Sequence, residues 1–91
     1  MALLKEVMTS YGVNATYWKV IITQINWEKS IAIFKLAGWI SEEASSLYEP
    51  IQINTIEFSG VDFIFTSESD ILVQAYNSIK TKAEWIDALD V

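Results

Sequence analysis

The first half of the chain follows the two-residue period of β-strands. Residues 14–27 mix aromatic and β-branched side chains, and residues 30–40 do the same after a short polar break. Two such runs joined by a short polar loop predict a β-hairpin. Residues 2–9 form a weaker run that ends in a turn-like Tyr-Gly-Val-Asn, and residues 51–59 return to period two with more polar content. We therefore expect four strands, with the last at or near a sheet edge.

The two hairpin strands carry apolar residues on both of their faces. Alternation places Trp18, Val20 and Ile22 on one face of the first strand and Tyr17, Ile21, Ile25 and Trp27 on the other. A strand that is apolar on both faces lies in the centre of a layered fold or in an interface. Our hypothesis is that one face packs on the chain's own helices and the other on a neighbouring subunit. The residues it assigns to the interface are Tyr17, Ile21, Ile25, Trp27, Ile31, Ile33, Trp39 and Trp85.

The period becomes helical towards the C-terminus. Apolar residues from Ile71 to Ile79 recur at the spacing of one helix stripe and predict a helix over residues 69–80, capped by Ser67 or Ser69. Thr81 then stands three residues before Glu84, which is the spacing of a capping box. That spacing predicts a second helix over residues 82–89, with Trp85 as a candidate exposed anchor.

These elements predict one α+β domain over residues 1–91. It has a four-stranded antiparallel β-sheet in meander order, followed by one or two C-terminal helices. Between the third and fourth strands, Ser41 with two acidic residues behind it resembles a helix start, and Pro50 limits that helix to about one turn.

Charge and composition narrow the partners. The 12 acidic residues outnumber the 6 basic ones, so the net charge is −6, and every basic residue is Lys. Nucleic-acid binding relies on clustered cations and on bidentate Arg, so neither nucleic acid nor an anionic membrane is expected as a partner. No apolar run approaches the ~18 residues of a membrane-spanning helix. Lys5 and Glu6 stand where a signal peptide would be apolar, so we expect a protein made in the cytoplasm.

The sequence offers few groups for catalysis. It contains no His and no Cys, and its three glycines form no phosphate-binding motif. Its local carboxylate pairs, Glu42 with Glu43 and Glu68 with Asp70, stand at predicted helix starts, where the helix dipole already favours acids. We therefore predict no catalytic residue, no cofactor, no metal site and no enzyme activity.

The aromatic residues leave two functions open, and the net charge suggests a third. Four Trp, four Tyr and four Phe could form a platform that stacks on sugar rings, or they could form core and subunit interface. Trp27, at the mouth of the hairpin loop, is the residue least assured of an intramolecular partner. A third reading is an acidic regulatory partner that sequesters a basic protein through the net charge.

Several stretches carry a family resemblance when they are taken in order: MALLKEV, YGVNATYWKV, KLAGW, FSGVDFIF and AYNSIKT. They resemble a group of small proteins encoded among the tail and baseplate genes of tailed bacteriophages and prophages. The resemblance spans nearly the whole chain and brings no catalytic motif with it. It implies a non-enzymatic, virion- or tail-associated subunit that forms a symmetric homo-oligomer and contacts other phage structural proteins. The protein would then be made in the host cytoplasm and carried in the virion. The alternative is a carbohydrate-binding adhesion module that uses exposed aromatic residues.

Overall fold

A single antiparallel sheet organises the computed structural model, which describes residues 2–91. Its elements are β1 (Leu3–Met8), β2 (Asn14–Asn26), β3 (Ile31–Trp39), α1 (Glu42–Leu47), β4 (Gln52–Ser59), a 3₁₀ turn (Gly60–Asp62), α2 (Ile71–Ile79) and β5 (Leu89–Asp90). The five strands lie in the order β4-β3-β2-β1-β5. The α+β class, the antiparallel sheet and the edge position of β4 are thus as the sequence predicts.

The fifth strand is the first departure from the predicted fold. Leu89 pairs with Leu4, and Asp90 pairs with Leu3, so the end of the chain adds a short edge strand beside β1. The backbones of Ala2 and Val91 extend this ladder with two hydrogen bonds of 3.1 and 3.0 Å. A two-residue strand carries too little alternation to be visible in a sequence, which is why four strands were predicted.

The predicted helix over residues 82–89 is wrong. The segment forms successive turns instead, with the amides of Trp85 and Ala88 donating to carbonyls three residues earlier. Thr81 does not cap a helix, since its hydroxyl donates to the carbonyl of Ser78 at 2.6 Å. Because Trp85 is buried against the sheet while Leu89 pairs with β1, tertiary contacts outweigh the local capping signal.

The helices α1 and α2 both begin at residues whose side chains cap them. Ser41 accepts a hydrogen bond from the Ala44 amide at 3.1 Å and starts α1, as predicted. The cap of α2 is Asp70 rather than Ser67 or Ser69, and its carboxylate accepts from the Leu72 amide at 2.8 Å. A side chain therefore caps the N-terminal end of each helix.

A β-bulge at Ile21 corrects the predicted faces of β2. Val20 pairs with Leu36, but Ile22 pairs with Lys35, so one residue of β2 has no partner on β3. The extra residue reverses the alternation beyond it. Tyr17 therefore lies on one face of the sheet and Ile25 on the other, although strict alternation placed both on the same face.

The inner face of the sheet carries the main core. We use "inner face" for the side that packs on α2 and on residues 81–88, and "outer face" for the opposite side. The fully buried side chains of the inner core include Trp18, Phe34, Leu36, Tyr76 and Ile79. At the bulge, the Val20 amide donates to the hydroxyl of Tyr76 at 2.8 Å, which joins α2 to β2.

The outer face is covered at one end only. There α1 places Ala44 over Tyr17, Ala37 and Trp39, and these residues form a second, smaller core. The Trp39 ring nitrogen donates to the carbonyl of Tyr48 at 2.9 Å, which anchors the end of α1. Ala44 is the one residue of α1 that is buried.

Candidate interaction surface

Three of the eight residues predicted for an interface are buried within the chain. Tyr17 and Trp39 lie beneath α1, and each is 7% exposed. Trp85 is 2% exposed and packs edge-on against Trp18, with ring centroids 5.1 Å apart. It is therefore a core residue rather than an exposed anchor, because the last segment folds inward instead of forming a surface helix. In this conformation none of the three offers its ring to a partner.

The other five are spread over different parts of the sheet. Ile25 is half-buried and packs on the inner core, whereas Ile21 is exposed at the bulge. Trp27 is 46% exposed in the turn between β2 and β3, and its ring packs edge-on against Phe63 at 5.8 Å. Ile31 and Ile33 are half-buried on the outer face of β3. The structure thus keeps Ile31 and Ile33 together and separates them from the rest, and their role at an interface stays a prediction.

The two edges of the sheet differ in how well they are protected. On one side, β1 has an irregular register between Leu4 and Val7 and is followed by β5, which is only two residues long. On the other side, β4 pairs with β3 without interruption from Gln52 to Ser59, and within residues 2–91 no other strand pairs with it. Bulges and short edge strands are devices that prevent further pairing. The β4 edge uses neither.

The composition of β4 does little to protect it either. Its eight residues contain one charged side chain, Glu57, and no proline. Proteins usually place lysine, proline or inward-pointing charges on exposed edges, because unpaired N–H and C=O groups can template another strand. We call the outward side of β4 the free edge. By these criteria it is open to strand addition.

Beside the free edge, the outer face carries an apolar patch. It comprises Ile22, Ile31, Ile33 and Ile53 with Lys35 among them, and we call it the outer-face patch; Ile53 lies at its border, beside Ala37. Ile22 and Ile53 are 40% and 50% exposed. Apolar side chains grouped on one face of a sheet are more informative than scattered exposed residues, since such groups mark contact surfaces.

The outer-face patch also holds two opposite charges. Lys35 lies across from Thr55, and Glu57 lies across from Ile33, one row further along the strands. Within residues 2–91 the ion pairs are Lys5 with Asp87 and Lys80 with Asp90, so Lys35 and Glu57 are not ion-paired in the described chain. These two charges are available to a partner.

Grooves on the inner face flank residues 81–88. One groove of about 360 Å³ runs between Thr55–Glu57 of β4 and the segment Lys82–Trp85. Another, of about 650 Å³, is lined by β1, by Asn54 and by residues 83–87. The first groove opens directly beside the free edge. It leaves room on the inner side for the side chains of an added strand.

The titratable groups with perturbed pKa values belong to packing contacts. Burial raises the pKa of the Tyr76 hydroxyl, and the hydrogen bond from the Val20 amide opposes this effect. The Lys5 side chain donates a hydrogen bond to Asp87 and lowers the pKa of that carboxyl. Neither lies at the free edge. Among the described residues, no group of three or more acidic side chains could hold a metal ion.

Trp27 lies far from the other strongly exposed aromatic residues, Tyr11 and Tyr48. Trp27 lies just beyond the C-terminal end of β2, and Tyr11 lies in the turn before its N-terminal end. A strand of 13 residues rises about 3.3 Å per residue, so β2 holds these two residues far apart, at its opposite ends. One sugar chain stacking on both would need to span nearly the whole molecule, whose longest dimension is 39 Å.

Sequence reasoning missed the residues that make the free edge distinctive. Ile53, Ile56 and Glu57 appear in no predicted interface, although β4 itself was expected at an edge. The feature of the sequence that could have indicated these residues is the single charge, Glu57, in an otherwise regular strand. The neighbouring position of Lys35 requires the register between β3 and β4, which the sequence does not provide.

Searches against protein-family models, curated proteins and solved structures find no match to this chain. Within the described residues, no helix is long and apolar enough to cross a membrane.

Proposed function

We propose that the protein is a non-enzymatic structural subunit that assembles with copies of itself through protein–protein contacts. The observation that carries this proposal is the free edge of β4. It is regular over eight residues, carries one charge and has no second strand beside it among residues 2–91. Strand addition satisfies the unpaired backbone groups of such an edge and extends the sheet without any change in fold.

Two further features support assembly over other roles. The outer-face patch borders the free edge, so a subunit that joins there also covers apolar side chains of the sheet. The resemblance to tail- and baseplate-region proteins implies a symmetric, virion-associated oligomer, and such an oligomer also forms by self-assembly of subunits. In that setting the protein would act with other phage structural proteins, and the lack of His and Cys in its sequence suits a structural role.

The proposal is tested by sedimentation equilibrium from micromolar to millimolar protein. We expect a reversible, concentration-dependent increase in mass. Ile53→Lys should weaken the association, because lysine on an edge strand opposes pairing. Leu89→Lys is the matched control, since it adds the same charge to an exposed residue on the opposite edge, and it should associate like the wild type. A wild-type protein that stays monomeric over the whole range would contradict the proposal.

A further inference from the structure

We propose that two copies pair antiparallel through β4 about a two-fold axis at Ile56, and that Lys35 of each copy faces Glu57 of the other. This inference rests on the proposed function and specifies its partner and register. The two five-stranded sheets would then form one continuous sheet, with the grooves on one side and the outer-face patches on the other. A two-fold contact of this kind uses the same strand twice and closes after two subunits.

Symmetry restricts the possible registers of such a pair. Residues that lie opposite each other in an antiparallel ladder point to the same face of the sheet. In a two-fold pair of β4 strands, the numbers of two partner residues are therefore equal or differ by an even number. Two registers use nearly all of β4, which ends at Gln52 and Ser59. One is centred on Thr55 and pairs residues 52–58, and the other is centred on Ile56 and pairs residues 53–59.

Charge distinguishes the two registers. With the axis at Ile56, Thr55 lies opposite Glu57 of the second copy, and Lys35 lies on the other side of Thr55 in the same row. Two strand spacings separate Lys35 from that carboxylate, about 10 Å between Cα atoms. A lysine side chain can extend over the short threonine to reach it. The two-fold axis produces this contact twice.

The register centred on Thr55 puts like charges at the two ends of one row instead. It places Thr55 opposite its own copy, so the row continues from Lys35 through both threonines to the second Lys35. Glu57 then lies opposite Ile53, and the cation of that row, Lys19 of the second copy, is three strand spacings away. With the axis at Ile56 the two Glu57 side chains lie diagonally across the contact, but each has Lys35 of the other copy in its own row. The register at Thr55 puts no lysine within two strand spacings in the row of Glu57. Because opposite charges across a sheet stabilise pairing, the register at Ile56 is favoured.

The inner face fits the same register. Ile56 would lie opposite Ile56 of the second copy, and Asn54 opposite its Phe58, so a β-branched pair sits on the axis. The groove of about 360 Å³ between Thr55–Glu57 and Lys82–Trp85 offers space for the incoming side chains. No residue of the described chain fills that space.

Charge reversal tests the inference. Lys35→Glu and Glu57→Lys each turn two attractive contacts into two repulsive ones, and each should weaken the dimer by about tenfold or more in sedimentation equilibrium. The double variant exchanges the charges and should restore the wild-type dissociation constant to within about threefold. Lys19→Glu is the control for Lys35→Glu, because Lys19 lies in another row, with Ala37 and Ile53, and the substitution changes the net charge by the same amount. Circular dichroism checks that each variant is folded.

The outcomes separate this inference from the proposed function. Loss of association in both single variants with recovery in the double variant supports the register at Ile56. Self-association that neither charge reversal alters overturns the inference but leaves the assembly role standing, with pairing at another register or surface. A wild-type protein that is monomeric at every concentration overturns both.

Discussion

Replacing Gly38 with alanine probes the tightest contact in the core. Gly38 lies opposite Trp18 across β2 and β3, and a Cβ atom built there would be 2.6 Å from Cζ3 of the indole ring. Trp18 is fully buried and cannot easily move away. Its ring nitrogen donates to the Lys5 carbonyl at 2.9 Å, and its ring packs edge-on against Trp85.

The size of the effect follows from two opposed terms. Overpacking a well-packed core costs about 1–3 kcal/mol, and the upper end applies here because a Cβ atom 2.6 Å from the indole ring is far inside van der Waals contact. Relief of glycine's backbone entropy in a strand returns about 0.5–1 kcal/mol. We therefore expect Gly38→Ala to lower the free energy of unfolding by about 2 kcal/mol, which for a domain of this size lowers Tm by roughly 8–16 °C.

Urea and thermal unfolding followed by circular dichroism measure this change. Gly12→Ala is the control, because Gly12 has a φ of +80° and no atom near its Cβ position, so it reports backbone strain without a clash. If Gly38→Ala changed the free energy of unfolding by less than about 0.5 kcal/mol, the Trp18 ring would not cover Gly38. The described inner core would then be wrong at its centre.

Two further predictions concern pH. Burial raises the pKa of Tyr76 above its ordinary value of 10.0, so the folded state holds the phenolic proton more tightly than the unfolded state does. The stability that comes from the neutral phenol is fully present below pH 10.0 and is lost as the pH rises through the raised pKa. Urea unfolding across the alkaline range measures this, and Tyr76→Phe should remove the loss of stability at high pH. The same variant should cost about 1–3 kcal/mol at neutral pH, because the Val20 amide loses its acceptor. A loss of stability at high pH as steep as in the wild type would contradict this role of Tyr76. The hydrogen bond from Lys5 lowers the pKa of Asp87 below its ordinary value of 3.8, so its contribution is present above that value and is lost as pH falls through the lowered pKa. Asp87→Asn should flatten the acid side of the stability profile, and an unchanged profile would rule out a role for this pair in holding residues 81–88 to β1.

The sequence predicts strands correctly where their alternation is unbroken. The two faces of β3 and β4 follow period two throughout, and Phe34 and Phe58 lie on the inner face as their positions indicate. In β2 the same reasoning fails beyond Ile21, because a bulge adds one residue and reverses every later side chain. The bulged residue lies within a run of β-branched residues that looks like any other buried strand.

The C-terminal segment shows the limit of local signals. The spacing of Thr81 and Glu84 favours a helix, but burial of Trp85 and pairing of Leu89 with β1 decide the structure. The free edge of β4 could likewise be predicted only in part from the sequence. Polar content placed β4 at an edge, whereas its pairing charges depend on a register between strands that are far apart in sequence.

Amide hydrogen exchange at low and high protein concentration tests self-assembly through β4 most directly. Pairing there should slow exchange at the outward-pointing amides of residues 53–59 as concentration rises, because each then donates to the second copy. Amides along β5 should exchange at the same rate at both concentrations. Exchange in β4 that stays independent of concentration while the mass increases would contradict the account, since the subunits would then meet at another surface.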